Sequence, residues 1–457
     1  MSTTMTNKKI ISGTKEKIDS AAGSSNLLYK IEDRPPLSVA ILLAFQNIIA
    51  AFGGIVAVPL VVAGALGLSV QDTAFMVSAA IFVAGIATFI QTKGIWKIGA
   101  RVPCIMGTDF TFVAPSIAVG STAGLAGMFG ATILGSFVEM ILSRFLKPLM
   151  RFFPPVVTGT VVTLIGLTLL PVSMDWAAGG VGSADYGSLT NIVISMVVMI
   201  IIILLNRYAK GILSSASILV GIVIGYIICY PLGMLDFTAV KEASWIAFPS
   251  IFKYGIDFNP VHVIPFIAAY LVTSIETVGC LMAIGEACET ELSGEQLSAG
   301  LLADGIGSFI AGFFGAGANT SFSQNVGLIP LTRVASRYVV IVAGVILGLL
   351  GLFPKFSTLI AIMPNPVLGG AGIVMFGVVA ASGIKTLSKV KGNNRNLLII
   401  AVSIGLGLGT TMRPDFLANL PGVLQSIFSS GISTGTVVAL LLNIILKEEK
   451  DTEEVSA

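Results

Sequence analysis

Charge is what this chain has least of. Its 457 residues include 26 Lys and Arg against 24 Asp and Glu, so 11% of the chain is charged, where about one quarter is usual for a soluble domain. The formal net charge of +2 offers no basic surface for a polyanion, which argues against a nucleic-acid partner. There is one histidine, His262, and there are four cysteines, Cys104, Cys229, Cys280 and Cys288, none in a CxxC pair. A disulfide framework or a zinc site is therefore not indicated. Neither a metal-ligand cluster nor a nucleophile–base pair stands out, which argues against an enzyme, and no cofactor is implied. What the chain has in abundance is apolar surface: 55% of residues are hydrophobic and the mean hydropathy is +0.94. This is the composition of an integral membrane protein with many spans.

A bilayer core of roughly 30 Å needs about 20 apolar residues per helix. Fourteen candidate runs begin near Leu37, Thr73, Pro103, Gly124, Phe153, Leu189, Ile212, His262, Gln296, Thr320, Tyr338, Phe356, Asn396 and Gly431. Alternate connections concentrate base: Lys93, Lys97 and Arg101; Arg144, Lys147 and Arg151; Arg207 and Lys210; Arg333 and Arg337; Lys385, Lys389, Lys391 and Arg395. The remaining connections are short, neutral or acidic, apart from a mixed one at residues 235–261. That asymmetry predicts both termini in the cytosol of a multi-pass cell-membrane protein. Residues 286–295 hold four glutamates and no base, and acidic residues count little in the rule. The first 36 residues are polar, with Lys8, Lys9, Lys15, Lys17, Lys30 and Arg34. They lack the apolar core of a signal peptide and read as a cytosolic tail.

The two halves echo each other. Pro155-Val156-Val157-Thr158-Gly159-Thr160 resembles Pro366-Val367-Leu368-Gly369-Gly370-Ala371 at an offset of 211, and Thr108-Asp109-Phe110-Thr111 resembles Thr320-Ser321-Phe322-Ser323 at an offset of 212. Two matches at nearly one offset, seven runs apart, point to an internal duplication. An odd number of spans per copy forces the second copy to be inverted. Such repeats place a transporter's site near the midplane, at interrupted spans. The interruptions around Asp109 and Gln324 are equivalent positions. Both are expected to form short extended segments followed by half-helices, which survive at that depth only inside protein or along a cavity.

The stretch from Thr273 to Arg337 carries most of the candidate chemistry. Glu276 sits inside an apolar run, where a charge costs about 2.5–3.5 kcal/mol on insertion scales. It is a candidate ligand acceptor or proton carrier; the alternative is a structural hydrogen bond between helices. Gln324 has a carboxamide that donates and accepts at once, matching the N–H and C=O edge of a ring lactam; the alternative is an interhelix clasp. Asn325 fits a structural role on broken backbone as well as ligand contact. Asp304 could couple an ion or fix the broken helices. Asp109 could tune the site or carry a proton, or bond its own backbone. Phe110 and Phe322, at matched positions, offer faces to a planar heterocycle, or simple packing. Glu139 lies within reach of Arg144 in sequence and reads as structural, as does His262. Gln46 and Asn47 are polar residues in the first span, at the edge of the site.

The run Gln324-Asn325-Val326-Gly327-Leu328-Ile329-Pro330-Leu331-Thr332-Arg333 resembles the signature of the nucleobase–ascorbate transporter family. Phe153-Pro154-Pro155-Val156-Val157-Thr158-Gly159-Thr160 and Gln91-Thr92-Lys93-Gly94 are similar to bacterial xanthine and uric acid permeases in particular. The resemblance implies an all-α polytopic fold of fourteen segments in two inverted repeats of seven. It implies a core domain of spans 1–4 and 8–11 (residues 37–149 and 262–353), a gate domain of spans 5–7 and 12–14 (150–261 and 354–446), and tails at 1–36 and 447–457. It assigns substrate contact to Glu276, Gln324, Phe110 and Phe322 and places the family's span 9 acid on Asp304; by their own chemistry Asn325 joins the candidate substrate contacts, and Asp304, Asp109 and Glu276 are the candidate ion-coupling groups. Its members are usually homodimers. This sequence departs from the family at Asn47, where His is frequent, at Cys280, where Asp or His is frequent, and at Asp109, where Ser or Asn is frequent. The function so implied is import of an oxidised purine, xanthine or uric acid, with a proton, or with sodium as the alternative ion. The rival readings are a uracil or ascorbate symporter and a passive channel or anion transporter.

Overall fold

A computed structural model describes residues 27–145, 154–210, 212–421, 424–425, 428 and 430–446. Most of the two expected tails, with Lys8, Lys9, Lys15 and Lys17, lies outside the described residues, as do Lys147, Arg151 and Phe153. Helices of eight residues or more are labelled α1 (Leu37–Ala65), α2 (Val70–Lys93), α3 (Val113–Leu142), α4 (Pro155–Ala177), α5 (Leu189–Tyr208), α6 (Ser217–Cys229), α7 (Pro260–Ala287), α8 (Gly294–Phe314), α9 (Arg337–Leu350), α10 (Pro354–Ala361), α11 (Asn365–Leu387), α12 (Asn394–Met412) and α13 (Gly431–Ile445). Two three-residue strands, β1 (Met106–Thr108) and β2 (Asn319–Ser321), interrupt them.

The fourteen runs expected from composition resolve into helices of unequal length. Among the described residues, nine are long and apolar enough to cross a membrane, and ten if α9 and α10, bent by 82°, count as one. The runs at Ile212 and Gly431 give only the short α6 and α13. The run at Phe356 splits into α10 and α11. The runs at Pro103 and Gly124 are joined in α3, which kinks at Gly124 (φ 66°, ψ −172°), a backbone geometry that only glycine adopts freely. The run at Thr320 is not a long helix: after β2 come a 3-10 turn (Ser323–Asn325) and a five-residue helix (Leu328–Thr332).

Local chemistry fixes the helix ends. The Ser69 side chain accepts from Asp72 N at the start of α2, and Gly94 (φ 74°) ends it. Ser293 and Gln296 form a reciprocal capping box at the start of α8, and left-handed Gly315 closes it, the expected pattern at each terminus. Asn259 and Pro260 open α7 in the same way.

The helices pack in two groups. One gathers α1, α2, α3, α7, α8, α9 and α10 around the strands; the other gathers α4, α5, α6, α11, α12 and α13. Within the second, α4 and α11 run together along their length. A Cβ on Gly166 would fall 2.3 Å from Ala380 N, and one on Gly383 would fall 2.3 Å from Thr163 N. Small residues thus let two backbones touch where lipid provides no hydrophobic drive.

β1 and β2 meet as an antiparallel ladder, with Met106 opposite Ser321, Gly107 opposite Thr320 and Thr108 opposite Asn319. The offset of 212 carries Gly107 to Asn319 and Thr108 to Thr320, so the four central residues exchange places across a two-fold axis. The two interruptions that matched in sequence therefore pair in space, which is the geometry of an inverted repeat.

Candidate functional site

The ladder is pinned from several sides. Thr108 Oγ1 donates to Ile55 O of α1 at 2.8 Å, and Met106 N donates to Thr88 Oγ1 of α2 at 2.9 Å. Ser308 of α8 bonds both N and O of Asn319, at 2.9 and 3.1 Å. From α7, Thr273 Oγ1 donates to Thr320 Oγ1 at 3.0 Å. Every backbone group of broken span must be satisfied inside protein at this depth, and these hydroxyls do that work.

Asp304 is the hub of the junction. It is 0% exposed. Its Oδ1 accepts from Gln91 Nε2 at 2.9 Å and from Ser321 Oγ at 3.0 Å; its Oδ2 accepts from Ser321 N at 3.0 Å and from Thr277 Oγ1. One carboxylate so joins α2, α7, α8 and β2, with all its acceptor capacity committed. Gln91 completes the clasp by accepting from Ala100 N at 2.9 Å. Gln91 carries no role by sequence alone, although an amide inside an otherwise apolar helix is a signal of the same kind as Gln46 and Asn47 in the first span.

Glu276 precedes Thr277 on α7, so the helix turns the two side chains about 100° apart. Thr277 faces Asp304; Glu276 faces the other way. With Thr158, Val161 and Val162 of α4, and Val272 and Ile275 of its own helix, it lines a void of about 20 Å³. That is room for about one water, and too little for a heterocycle. Glu276 Oε2 is buried and has no hydrogen-bond partner among the described residues. The carboxylate therefore lies where the two helix groups meet, with an acceptor unused.

The extended backbone on either side of the ladder sets the remaining residues. Asp109 N donates to Ala318 O at 3.0 Å, and Asp109 Oδ1 accepts from Thr111 N at 2.9 Å, capping the 3-10 turn Phe110–Phe112. Its Oδ2 is buried beside Thr273, whose hydroxyl is already committed to Thr320. Phe110 crosses to the second helix group and meets Phe376 of α11 edge-on, with centroids 5.4 Å apart at 86°. Phe322 is seated between two glycines: a Cβ on Gly54 would lie 2.8 Å from its ring, and one on Gly107 would lie 2.7 Å from it. The matched phenylalanines are thus placed differently, one across the group boundary and one in the α1–β1 packing. Gln324 is exposed and its carboxamide makes no hydrogen bond among the described residues. Asn325 Nδ2 donates to Asn47 O at 2.9 Å and Asn47 Oδ1 at 3.2 Å, tying the turn to α1. Gln46, next to it, is buried. His262 lies at the start of α7, away from this junction, 3.4 Å from Asp257 Oδ2.

One expectation fails. Glu139 does not meet Arg144: both of its carboxylate oxygens are buried with no partner among the described residues, while Arg144 is exposed in the 3-10 turn beyond the helix end. Five residues along a helix is about 140° away from alignment, so closeness in sequence did not place them on one face.

A family model described as Permease family matches residues 38–416. The chain belongs to this family, that of the nucleobase–ascorbate transporters. Its relatives include a Clostridium perfringens protein provisionally named a purine permease, 58% identical over 94% of this chain and 95% of that one. The uric acid transporter UacT of Escherichia coli is 42% identical over 88% of this chain and 85% of its own. The xanthine permease of Bacillus subtilis is 41% identical over 88% and 92%. Among solved structures, the transmembrane domain of a cyanobacterium bicarbonate transporter, BicA, superposes with TM-score 0.59 at 16% identity, over 86% of this permease and 99% of that chain. SLC26A9 superposes with TM-score 0.60 at 12% identity, over 90% of this permease and 66% of that chain. These likenesses are of fold alone. The permease is an integral membrane protein with that all-α inverted-repeat architecture.

Proposed function

We propose that this permease is a secondary active transporter that imports an oxidised purine, xanthine or uric acid, together with a proton. The observation that carries the reading is the unused acceptor of Glu276 on the face of α7 turned to α4, beside a junction from which Gln324 emerges with a free carboxamide. A xanthine or urate ring offers N–H groups to the acid and a lactam edge to the amide. The names of the relatives from Escherichia coli and Bacillus subtilis point to the same substrates. The first helix group would act as the core and the second as the gate. Separation of Phe110 from Phe376, and of Glu276 from Thr158, would open a void that now has room for about one water. Asn325 would hold the Gln324 turn to α1 during that movement, and Phe110 and Phe322 would bound the ring. The working unit is a homodimer in the cell membrane, with both termini cytosolic.

The test is uptake of labelled xanthine and urate by cells that lack their own purine permeases, with and without an imposed pH gradient. Accumulation above the external level that collapses with an uncoupler supports the reading. Equilibration without accumulation would mark a passive pathway. Competition by uracil or ascorbate, with none by xanthine or urate, would move the substrate class. Dependence on sodium rather than pH would move the coupling ion.

A further inference from the structure

Three carboxylates lie buried in the first helix group: Asp109, Asp304 and Glu139. No salt bridge among the described residues reaches any of them. They differ in what holds them. Asp304 accepts four hydrogen bonds. Asp109 Oδ1 is held by Thr111 N. Glu139 is 0% exposed, and neither oxygen has a donor among the described residues.

Its surroundings leave no room for a counter-charge. The face of α3 that carries it is sealed by α7 and α8. Tyr270 of α7 donates to Thr132 O, two turns before Glu139, at 2.8 Å, and a Cβ on Gly135 would fall 2.5 Å from the Tyr270 ring. A Cβ on Gly305 of α8 would fall 2.9 Å from Met140 Cγ and 3.3 Å from Ser136 O. The ionisable groups toward it are Asp304 from α8, Tyr270 from α7 and Asp109 from the segment after β1; Glu276 lies further along α7, just before Thr277. None is a base. An ionised carboxylate with no donor, no cation and two acidic neighbours is not a stable occupant of such a place, whereas a carboxylic acid is.

We propose that Glu139 is a proton site of the transport cycle, holding a proton in this conformation and exchanging it with water when the core moves. The inference rests on the proton-coupled reading above and adds a group to it. A contiguous line of contacts supports the link: Glu276 adjoins Thr277, Thr277 bonds Asp304, and Gly305, the next residue, packs on Met140, the neighbour of Glu139. An O–H bond forms at Glu139 with a proton from the outer aqueous side. It breaks on the inner side, so one proton is carried inward and nothing else changes. Asp304, with all its acceptors filled by donors, stays in place as part of the clasp beside it.

The experiment uses the intact chain in proteoliposomes with labelled xanthine, and compares the wild type with E139Q and E139D. Glutamine keeps the shape and cannot release a proton. E139Q is expected to bind xanthine within about threefold of wild type and to exchange it across the membrane, yet to lose at least tenfold of the accumulation driven by a pH gradient. E139D is expected to restore part of that accumulation. Infrared difference spectra of the purified proteins should show a protonated-carboxyl carbonyl band in the wild type that is missing in E139Q, a readout independent of transport. If E139Q accumulated xanthine like the wild type with the same pH profile, or if the band were unchanged, the inference would be overturned while the proposed function stood. If the wild type moved no purine, or moved it with sodium and ignored pH, the proposed function itself would fall, whatever the spectra gave.

Discussion

Asp304, buried, and Glu276, half-buried, are two acids on neighbouring helices of one bundle, and the surrounding chain treats them oppositely. Asp304 is supplied with four donors from α2, α7 and β2. Glu276 keeps an oxygen with no donor among the described residues. The first acid is spent on the protein and the second is available. At membrane depth the number of internal donors, rather than the presence of a carboxylate, separates a residue that holds the fold from one that waits for a solute.

That contrast can be broken from the Asp304 side first. Asp304→Asn puts an NH2 group among donors that need an acceptor. Hydrogen bonds to a charged group are worth about 1.5–3 kcal/mol each and Asp304 accepts four, so the protein recovered from membranes and its melting temperature should both fall steeply by size-exclusion thermal assay. A variant as stable as wild type would show that the clasp is not structural. The next effect in size is on Glu276. Glu276→Gln should leave abundance and melting temperature near wild type while xanthine affinity falls. Hydrogen bonds to a charged group are worth about 1.5–3 kcal/mol each, or about 10- to 150-fold per bond, measurable by calorimetry on purified protein. Loss of stability instead would place Glu276 with Asp304. Gln324→Ala removes a neutral partner worth about 0.5–1.5 kcal/mol, so affinity should fall about two- to tenfold and competition by lactam-modified analogues should change order. The smallest change is expected at Asn325→Ala, which removes bonds to Asn47. Hydrogen bonds between membrane helices average about 0.6 kcal/mol, so a shift of a degree or two in melting temperature, with affinity unchanged, is the expected result.

Much of this arrangement is legible in the chain itself. Scarce charge and long apolar runs give the class, and the shared offset of the two interruptions marks them as equivalent extended segments, though not that Gly107 and Thr320 pair. The signature after Gln324 gives the family. What stays hidden is phase and distance. Whether an acid in an apolar run points at a donor depends on a 100° turn, the difference between Glu276 and Thr277. The partner of Asp304 is Gln91, more than two hundred residues away, and only the folded ladder brings them together. Glu139 shows the limit most plainly, because Arg144 is close in sequence and lies on another face beyond the helix end. Helix length is also read imperfectly: hydropathy does not distinguish the full span of α5 from the short α6, since both are equally oily.

The three-residue ladder has one more consequence. Its strands come from the two halves of the chain and swap places under the repeat offset, so the seam that welds those halves is built from main-chain atoms at the centre of the molecule. A half-length ancestor, inserted in both orientations, could have closed the same seam between two separate polypeptides. Fusion would then have freed each side to diverge, leaving Asp109 on one arm and Ser321, the anchor of Asp304, on the other.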